Sequence, residues 1–244
     1  MASAHIPILM YHQIDARPAR GTPMRGLVVS PQAFARQMVL LHALGYQGLS
    51  MSALMPYLRG EKQGKVCGIT FDDGYLNNLQ HAMPVLQRYG FSSTCYVVSG
   101  QLGGSNVWDH SKGIESKPLM QARDVRAWAQ GGQEVGAHTR SHANLTQLDA
   151  VQAVDEIQGC KQDLEEASGA VVSQFCYPYG FYNAALVDQV RRAGYAAATT
   201  TARSRATVQS SVWELPRVPV MGSVWLPQFW RKVATAYEDQ RGGQ

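Results

Sequence analysis

The feature that most constrains this chain is a repeated alternation of short apolar runs with amphipathic stretches. The runs at 66–71 and 94–98 are rich in β-forming residues, and the stretches between such runs carry apolar residues at helical spacing. Glycine or a polar turn closes most of these segments. About six to eight repeats of strand and then helix are typical of a parallel sheet, either open or closed into a barrel.

The pattern assigns elements over nearly the whole chain, and no linker or shift in composition interrupts it. We therefore expect a single domain over residues 1–244. The predicted strands are 6–11, 48–50, 66–71, 94–98, 134–137, 171–177, 195–200 and an extended segment at 213–220. The predicted helices are 31–44, 51–59, 79–89, 121–130, 151–168, 184–192 and 227–238, with long loops at 100–118 and 201–212.

Composition excludes several classes of protein. Charged residues make up 16 % of the chain, below the roughly 25 % typical of soluble domains, which argues against disorder and coiled coils. The net charge of +4 is spread without a Lys/Arg run, so no nucleic-acid partner is expected, although an anionic ligand would suit it. No apolar run reaches the about 18 residues of a membrane span.

Residues 1–7 lack the basic and apolar regions of a signal peptide. This predicts a cytoplasmic protein if the chain is complete, and a periplasmic or extracellular protein if a leader has been removed. The cysteines lie far apart with no C-x-x-C spacing, and the pattern favours buried thiols over two disulfides. They are Cys67, Cys95, Cys160 and Cys176.

Polar residues that suit catalysis follow several predicted strands. His12 follows the first strand, Asp72 and Asp73 follow another, and His138 and His142 follow a third. Because parallel strands end at one rim, we expect these groups to meet there. Two imidazoles and one carboxylate form a common hydrolytic zinc site with a position left for water, while the second carboxylate stays free to accept a proton.

Each part of this pattern has an ordinary alternative. Asp72-Asp73-Gly74 is also typical of a solvated turn, and two histidines four residues apart also arise by chance. Their coincidence at strand ends favours a metal-assisted hydrolase. The chain lacks G-x-S-x-G, G-x-x-x-x-G-K-[ST] and G-x-G-x-x-G motifs, so rival chemistries lack support. His110, in the loop at 100–118, is a candidate for contact with substrate.

Three motifs in order resemble those of the NodB-homology polysaccharide deacetylases, carbohydrate esterase family 4. They are Thr70–Gly74, His138–His142 and Tyr177–Gly180. The resemblance implies an α/β fold that is a distorted (β/α) barrel of about seven parallel strands. It also implies removal of N-acetyl groups from an amino sugar, and therefore a carbohydrate substrate.

Carried over position by position, the resemblance assigns Asp72 as the general base. It assigns Asp73, His138 and His142 as ligands of a divalent metal, with Zn²⁺ favoured. It further implies that the backbone N–H of Tyr179 stabilises the oxyanion.

The chain departs from the family pattern at two points. Cys176 stands where many members carry an arginine, and no histidine follows His142. The start, Pro7–His12, is similar to the subgroup of poly-N-acetylglucosamine deacetylases, in which an N-terminal histidine is the acid, so His12 is assigned that role. We hypothesise that Arg217 orients the base in place of the missing arginine; the alternative is a surface arginine on an edge strand.

The leading prediction is thus a metal-dependent hydrolase that deacetylates an amino-sugar glycan or glycan precursor. A second hypothesis keeps the fold and metal but cleaves a small non-sugar amide or a cyclic imide. A third is an inactive glycan-binding relative, as the cysteine at 176 hints. A cytoplasmic location would favour a nucleotide-linked or lipid-linked sugar, and a removed leader would favour an extracellular polysaccharide.

Overall fold

Residues 5–241 are described by the structure, which is a computed structural model. Residues 1–4, part of the stretch on which the prediction of location depends, lie outside this range. The strands are β1 Ile8–Tyr11, β2 Gln13–Ile14, β3 Val28–Val29, β4 Gln47–Leu49, β5 Val66–Phe71, β6 Thr94–Val97, β7 Glu134–Ala137, β8 Gln174–Cys176, β9 Ala197–Arg203 and β10 Leu215–Pro219. The α-helices are α1 Pro31–Ala43, α2 Met51–Leu58, α3 Met83–Arg88, α4 Ala122–Gln130, α5 Ala150–Val154, α6 Cys160–Ser168, α7 Ala184–Arg192 and α8 Leu226–Ala234.

Seven parallel strands close into a barrel. Strands β5, β6, β7, β8, β9 and β10 pair in sequence order, and β1 closes the ring by pairing with β10 on one side and β5 on the other. Tyr11 lies opposite Phe71, and Met10 lies opposite Pro219. β4 pairs with the first residues of β5 as an additional strand. This confirms the (β/α) barrel and selects the closed over the open sheet.

The strands are apolar along their length because helices cover the outside of the barrel. Every residue of β5 is buried, and so is every residue of β6. Under α1 the ring of Tyr11 stacks on Phe71 at 5.6 Å and meets the edge of Phe34 at 5.3 Å. Trp128 of α4 packs edge-on against Phe71 at 5.9 Å. These large aromatic contacts fix the helices against the barrel wall.

Several element boundaries differ from those predicted. β8 is shorter than 171–177, and β9 extends to Arg203, into the predicted polar loop, because its exposed end still pairs with β10. α8 ends at Ala234 rather than 238, and the chain then turns to bury Glu238 against Lys232 and Arg203. The short β2–β3 pair was not predicted, since two-residue strands carry no periodicity.

Two helices contain π-helical segments that helical spacing alone did not predict. One covers Asn78–Ala82 ahead of α3, and the other covers Asp155–Gly159 between α5 and α6. Such segments are rare and are frequently found at functional sites.

All four cysteines are buried and free, in agreement with the prediction of buried thiols. Between residues 5 and 241, the structure contains no helix with the length and hydropathy needed to cross a membrane.

Candidate active site

The carboxyl ends of the barrel strands border an open cleft. The sequence-predicted groups that follow β1, β5, β7 and β8 all line it. The structure therefore brings together residues that are far apart in the chain. The lining consists of His12, Met24, Leu27, Asp72, Asp73, Trp108, Asp109, Lys112, His138, His142, Tyr177, Tyr179 and Thr201.

Asp73, His138 and His142 form a compact set of metal-ligand types. Each offers one ligand atom, and these atoms lie within 4.8 Å of one another. Asp73 Oδ1 is 3.6 Å from His138 Nε2 and 3.3 Å from His142 Nε2. The backbone reaches this arrangement through left-handed conformations, with φ of 76° at Asp73, 80° at Gly74 and 60° at His142. Asp73 is therefore turned away from the strand alternation that would place it opposite Asp72.

The ring of His138 is oriented by the neighbouring strand. Its Nδ1 lies 2.8 Å from the carbonyl oxygen of Cys176 at the end of β8. A carbonyl only accepts, so Nδ1 carries a proton and donates, which leaves Nε2 as the ring nitrogen that faces Asp73. This contact matches the outer hydrogen bond that orients metal-binding histidines.

The charge distribution of the set fits a cation. Burial lowers the pKa of His138, but the Cys176 contact and the negative charges of Asp72 and Asp73 outweigh burial and raise it to about 9. Burial would raise the pKa of Asp73, yet the hydrogen bond and charge of His142 bring it well below its usual value. The pocket thus holds ionised carboxylates beside imidazole nitrogens, a donor set suited to a divalent metal.

A second group of ligand types, Asp72, His138 and Cys176, also lies within 4.8 Å but is unsuited to a metal. Arg217 Nη2 approaches Cys176 Sγ at 3.2 Å and Asp72 Oδ2 at 2.8 Å. A guanidinium already neutralises this side of the cleft, and it would repel a second cation. The geometry therefore favours the Asp73 set.

Arg217 binds Asp72 through both ends of its guanidinium. Nη1 donates to Asp72 Oδ1 at 2.6 Å and Nη2 donates to Oδ2 at 2.8 Å. Nε donates to the carbonyl oxygen of Thr200 at 2.8 Å, and Nη1 also reaches Thr70 Oγ1 at 3.1 Å. Arg217 is fully buried, so the alternative of a surface arginine is wrong.

The same contact sets the ionisation of Asp72. Burial raises the pKa of this carboxyl, but the charge and hydrogen bonds of Arg217 outweigh burial and hold the pKa below its usual value. Asp72 therefore carries a negative charge at neutral pH, as a proton acceptor requires.

His12 lines the cleft directly after β1. Its Nε2 is 4.0 Å from Asp72 Oδ2, and 19 % of its side-chain surface remains accessible to solvent. Asn78, in the π-helical segment before α3, donates to the His12 carbonyl oxygen at 2.7 Å and accepts from the N–H of Ile14 at 3.1 Å. The backbone that carries His12 is thus fixed while its ring faces the cleft.

Tyr179 lies in a tight turn after β8. Its φ is 60°, and its ring meets His142 edge-on with the centroids 4.6 Å apart. The next residue must be glycine, because a Cβ at Gly180 would lie 1.9 Å from Thr201 Oγ1. The turn is therefore pressed against β9, which fixes the backbone of Tyr179 beside the proposed metal ligands.

The loop after β6 contributes residues that the sequence analysis missed. Trp108 stacks parallel to His142 at 4.6 Å, and the Lys112 ammonium lies 5.0 Å from the centre of the Tyr179 ring. His110, predicted to contact substrate, is exposed and does not line the cleft. Positions 108 and 112 are four residues apart in the helical turn Val107–Lys112, and that spacing was the available signal.

Comparisons with known proteins agree with this geometry. The sequence profile of the family described as polysaccharide deacetylase matches residues 59–198. YxkH of Bacillus subtilis, whose name refers to the same family, is 30 % identical over 219 residues, which cover 89 % of this chain and 72 % of YxkH. The chain belongs to the polysaccharide deacetylase family.

Two further relatives extend the likeness. The poly-beta-1,6-N-acetyl-D-glucosamine N-deacetylase of Staphylococcus aureus is 22 % identical over 199 residues, or 78 % of this chain and 67 % of that enzyme. The Streptococcus pyogenes deacetylase PplD, solved with acetate, shares the fold with a TM-score of 0.82 at 24 % identity, covering 95 % of this chain and 99 % of PplD. This polysaccharide deacetylase is thus an enzyme whose family uses a divalent metal, and the Asp73 set suits one.

Proposed function

We propose that the protein is a zinc-dependent hydrolase that removes N-acetyl groups from a glycan containing amino sugars. The observation that carries this proposal is the pairing of a three-ligand set, Asp73, His138 and His142, with an ionised Asp72 in the same cleft. The S. aureus relative, named for its action on poly-N-acetylglucosamine, supports the substrate class.

Two imidazoles and one carboxylate favour zinc and leave a coordination position open. A bound divalent ion would supply Lewis acidity, which polarises the acetamide carbonyl and lowers the pKa of water. The residues of the chain then have to move protons and orient the substrate.

Asp72 is the general base in this proposal. It accepts the proton of the water that attacks the carbonyl carbon, because Arg217 keeps its carboxylate ionised and fixed in direction. Arg217 touches no substrate in this scheme and acts as a positioning residue. It takes the place of the arginine that many members carry where this chain has Cys176, and its Nη2 lies beside that thiol.

His12 is the proposed general acid. Its ring faces the cleft 4.0 Å from Asp72, a position from which it could protonate the departing nitrogen. The backbone N–H of Tyr179 is the proposed donor to the oxyanion, since a fixed amide aimed at developing charge needs no reorganisation. We treat residues 1–244 as one catalytic domain, because β1 and β10 both belong to the barrel that carries these groups.

Two variants separate the metal set from the base. Asp72→Asn should keep its zinc, measured as metal content per chain, while kcat for acetate release from N-acetylglucosamine oligomers falls by about 10²–10⁴. His138→Ala should lose both zinc and turnover. His110→Ala is the matched control, because that histidine is exposed outside the cleft and should behave as wild type.

Near-normal kcat in Asp72→Asn would contradict the assignment of the base. Substrate class is tested by a panel that adds small amides and cyclic imides, with acetate and ring-opening products measured separately. Turnover confined to the imides would replace the glycan proposal. Zinc binding without turnover on any substrate would support the glycan-binding alternative.

A further inference from the structure

The loop between the two histidines, residues 138–142, is tied to the helix behind it mainly by the side chain of Arg140. Arg140 Nε and Nη2 donate to the two carboxylate oxygens of Asp163 at 2.9 and 2.8 Å. Its Nη1 donates to Asp155 Oδ1 at 2.7 Å. Next to it, Ser141 donates to Glu156 through its N–H and its hydroxyl. Five donors between the two histidines therefore contact a single helical stretch.

The helix contains a slot shaped for this guanidinium. Asp155, Glu156 and Gly159 belong to the π-helical segment between α5 and α6. A Cβ at Gly159 would lie 2.3 Å from Arg140 Cζ and 2.4 Å from its Nε. The backbone of Gly159 is helical, with φ of −61°, so its own conformation does not require glycine. Glycine is required instead because the Arg140 guanidinium occupies the space that a Cβ would need.

The other side of the loop is held by the segment after β6. The N–H groups of Ser99 and Gly100 donate to the carbonyl oxygens of Thr139 and Arg140 at 3.1 and 2.8 Å. A Cβ at Gly100 would lie 2.6 Å from the Arg140 oxygen. Ser99 Oγ also donates to Asp163 at 2.8 Å. The segment after β6 and the Arg140 guanidinium therefore bind the same carboxylate.

We propose that Arg140, seated against Gly159 and Asp163, is a positioning residue that presets the His138–His142 loop for metal binding. The loop has positive φ at Thr139 (65°) and His142 (60°), conformations that a free segment with these side chains avoids. The guanidinium holds this segment before any ion is bound, together with the backbone hydrogen bonds from Ser99 and Gly100. Metal affinity then depends on Arg140, although Arg140 is not itself a metal ligand. This inference rests on the proposed zinc site.

The decisive variant is Gly159→Ala. Alanine suits a helix better than glycine, so the metal-free protein should unfold at the same or a higher temperature. The new methyl group must displace the Arg140 guanidinium, and zinc should then bind about 10–100-fold more weakly, as is typical when an outer support of a metal ligand is lost. Zinc affinity is measured by competition with a chromophoric chelator. Zinc affinity should thus fall although the unfolding temperature does not. If Arg140 only stabilised the fold, the two quantities would fall together.

Two further variants and a control complete the test. Arg140→Lys keeps the charge but loses the fork that binds Asp163, and Asp163→Asn keeps the shape but loses the ion pair; both should weaken zinc binding in the same range. Gln158→Ala, on the exposed face of the same segment, is the control and should bind zinc as wild type does. Arg140→Ala should regain affinity when millimolar guanidinium is added.

Unchanged zinc affinity in folded Gly159→Ala and Arg140→Lys would overturn the proposal, even if either variant were less stable. Failure of the wild-type protein to bind zinc would contradict the proposed metal centre itself, and the proposed role of Arg140 with it. The two failures are therefore distinguished by the wild-type titration alone.

Discussion

The two ends of the barrel each carry a polar cluster, and the clusters differ in which groups surround their carboxylates. At the amino ends of β6 and β7, Glu134 accepts hydrogen bonds from the N–H and hydroxyl of Ser52 and from the hydroxyl of Thr94. Gln174, at the start of β8, adds a donor to Ser52. At the carboxyl ends, Asp73 lies between two imidazoles, and no lysine or arginine among the described residues forms an ion pair with it.

Backbone strain follows the same division. The non-glycine residues with positive φ in the described chain are Met24, Asp73, Thr139, His142 and Tyr179. All of them line the cleft or lie in the His138–His142 loop, and none lies at the amino ends of the strands. Such conformations cost about 1–3 kcal/mol each and persist where the surroundings enforce them. The amino end of the barrel therefore contributes to the stability of the fold. The carboxyl end holds backbone conformations that lower stability but position the side chains of the cleft.

Among variants that test this difference between the two ends of the barrel, Arg217→Met should have the largest effect on stability and activity. It leaves Asp72 buried without its partner, which should lower the free energy of unfolding by about 3–5 kcal/mol. It should also lower kcat by about 10²–10³, because Asp72, the proposed base, loses the partner that keeps it ionised and fixed in direction. Chemical denaturation and steady-state kinetics measure the two effects. Loss of stability with full activity would show that Arg217 only fills space.

His12→Gln should have the next largest effect. Glutamine keeps a similar size and polarity but cannot supply a proton, so kcat should fall by about 10². Zinc content should not change, because His12 is outside the Asp73 set. A variant with normal kcat on a substrate with a poor leaving group would remove His12 from the mechanism.

Arg217→Lys tests the ionisation of the base with less disruption. Lysine keeps the positive charge but loses the two-pronged contact, so the pKa of Asp72 should rise from its lowered value. The acidic limb of the kcat/KM profile should therefore move to higher pH, and activity should be lost earlier on acidification. A pH series on both proteins measures this shift. An unmoved limb would mean that another group controls it.

Glu134→Gln, at the opposite end, should have the smallest effect on function. Loss of the charged acceptor should lower the free energy of unfolding by about 1–2 kcal/mol, because the hydroxyls of Ser52 and Thr94 keep a weaker partner. Zinc affinity and kcat should stay as in wild type. A fall in kcat beyond twofold would show that the two ends are coupled, and the division drawn above would fail.

Local patterns predicted the barrel and most of the cleft. Strands such as β5 end at a turn signal, and Asp72 and Asp73 sit at that turn, so their shared rim follows from parallel topology alone. Trp108 was not predicted, because its contact with His142 depends on how a long loop folds back. Arg140 was passed over for a similar reason, since its partners Asp155 and Asp163 lie on a separate helix.

The order of the strands also has a consequence for biosynthesis. The guanidinium that binds Asp72, the proposed base, lies 145 residues further along the chain than Asp72 itself. At translation rates of about 5–20 residues per second, roughly 7–30 s separate the appearance of these two groups at the ribosome. The first strand likewise waits for the tenth before it can seal the ring. A nascent or prematurely terminated chain would lack both the arginine that binds Asp72 and the strand that closes the barrel, so we expect no deacetylation until β10 has been synthesised.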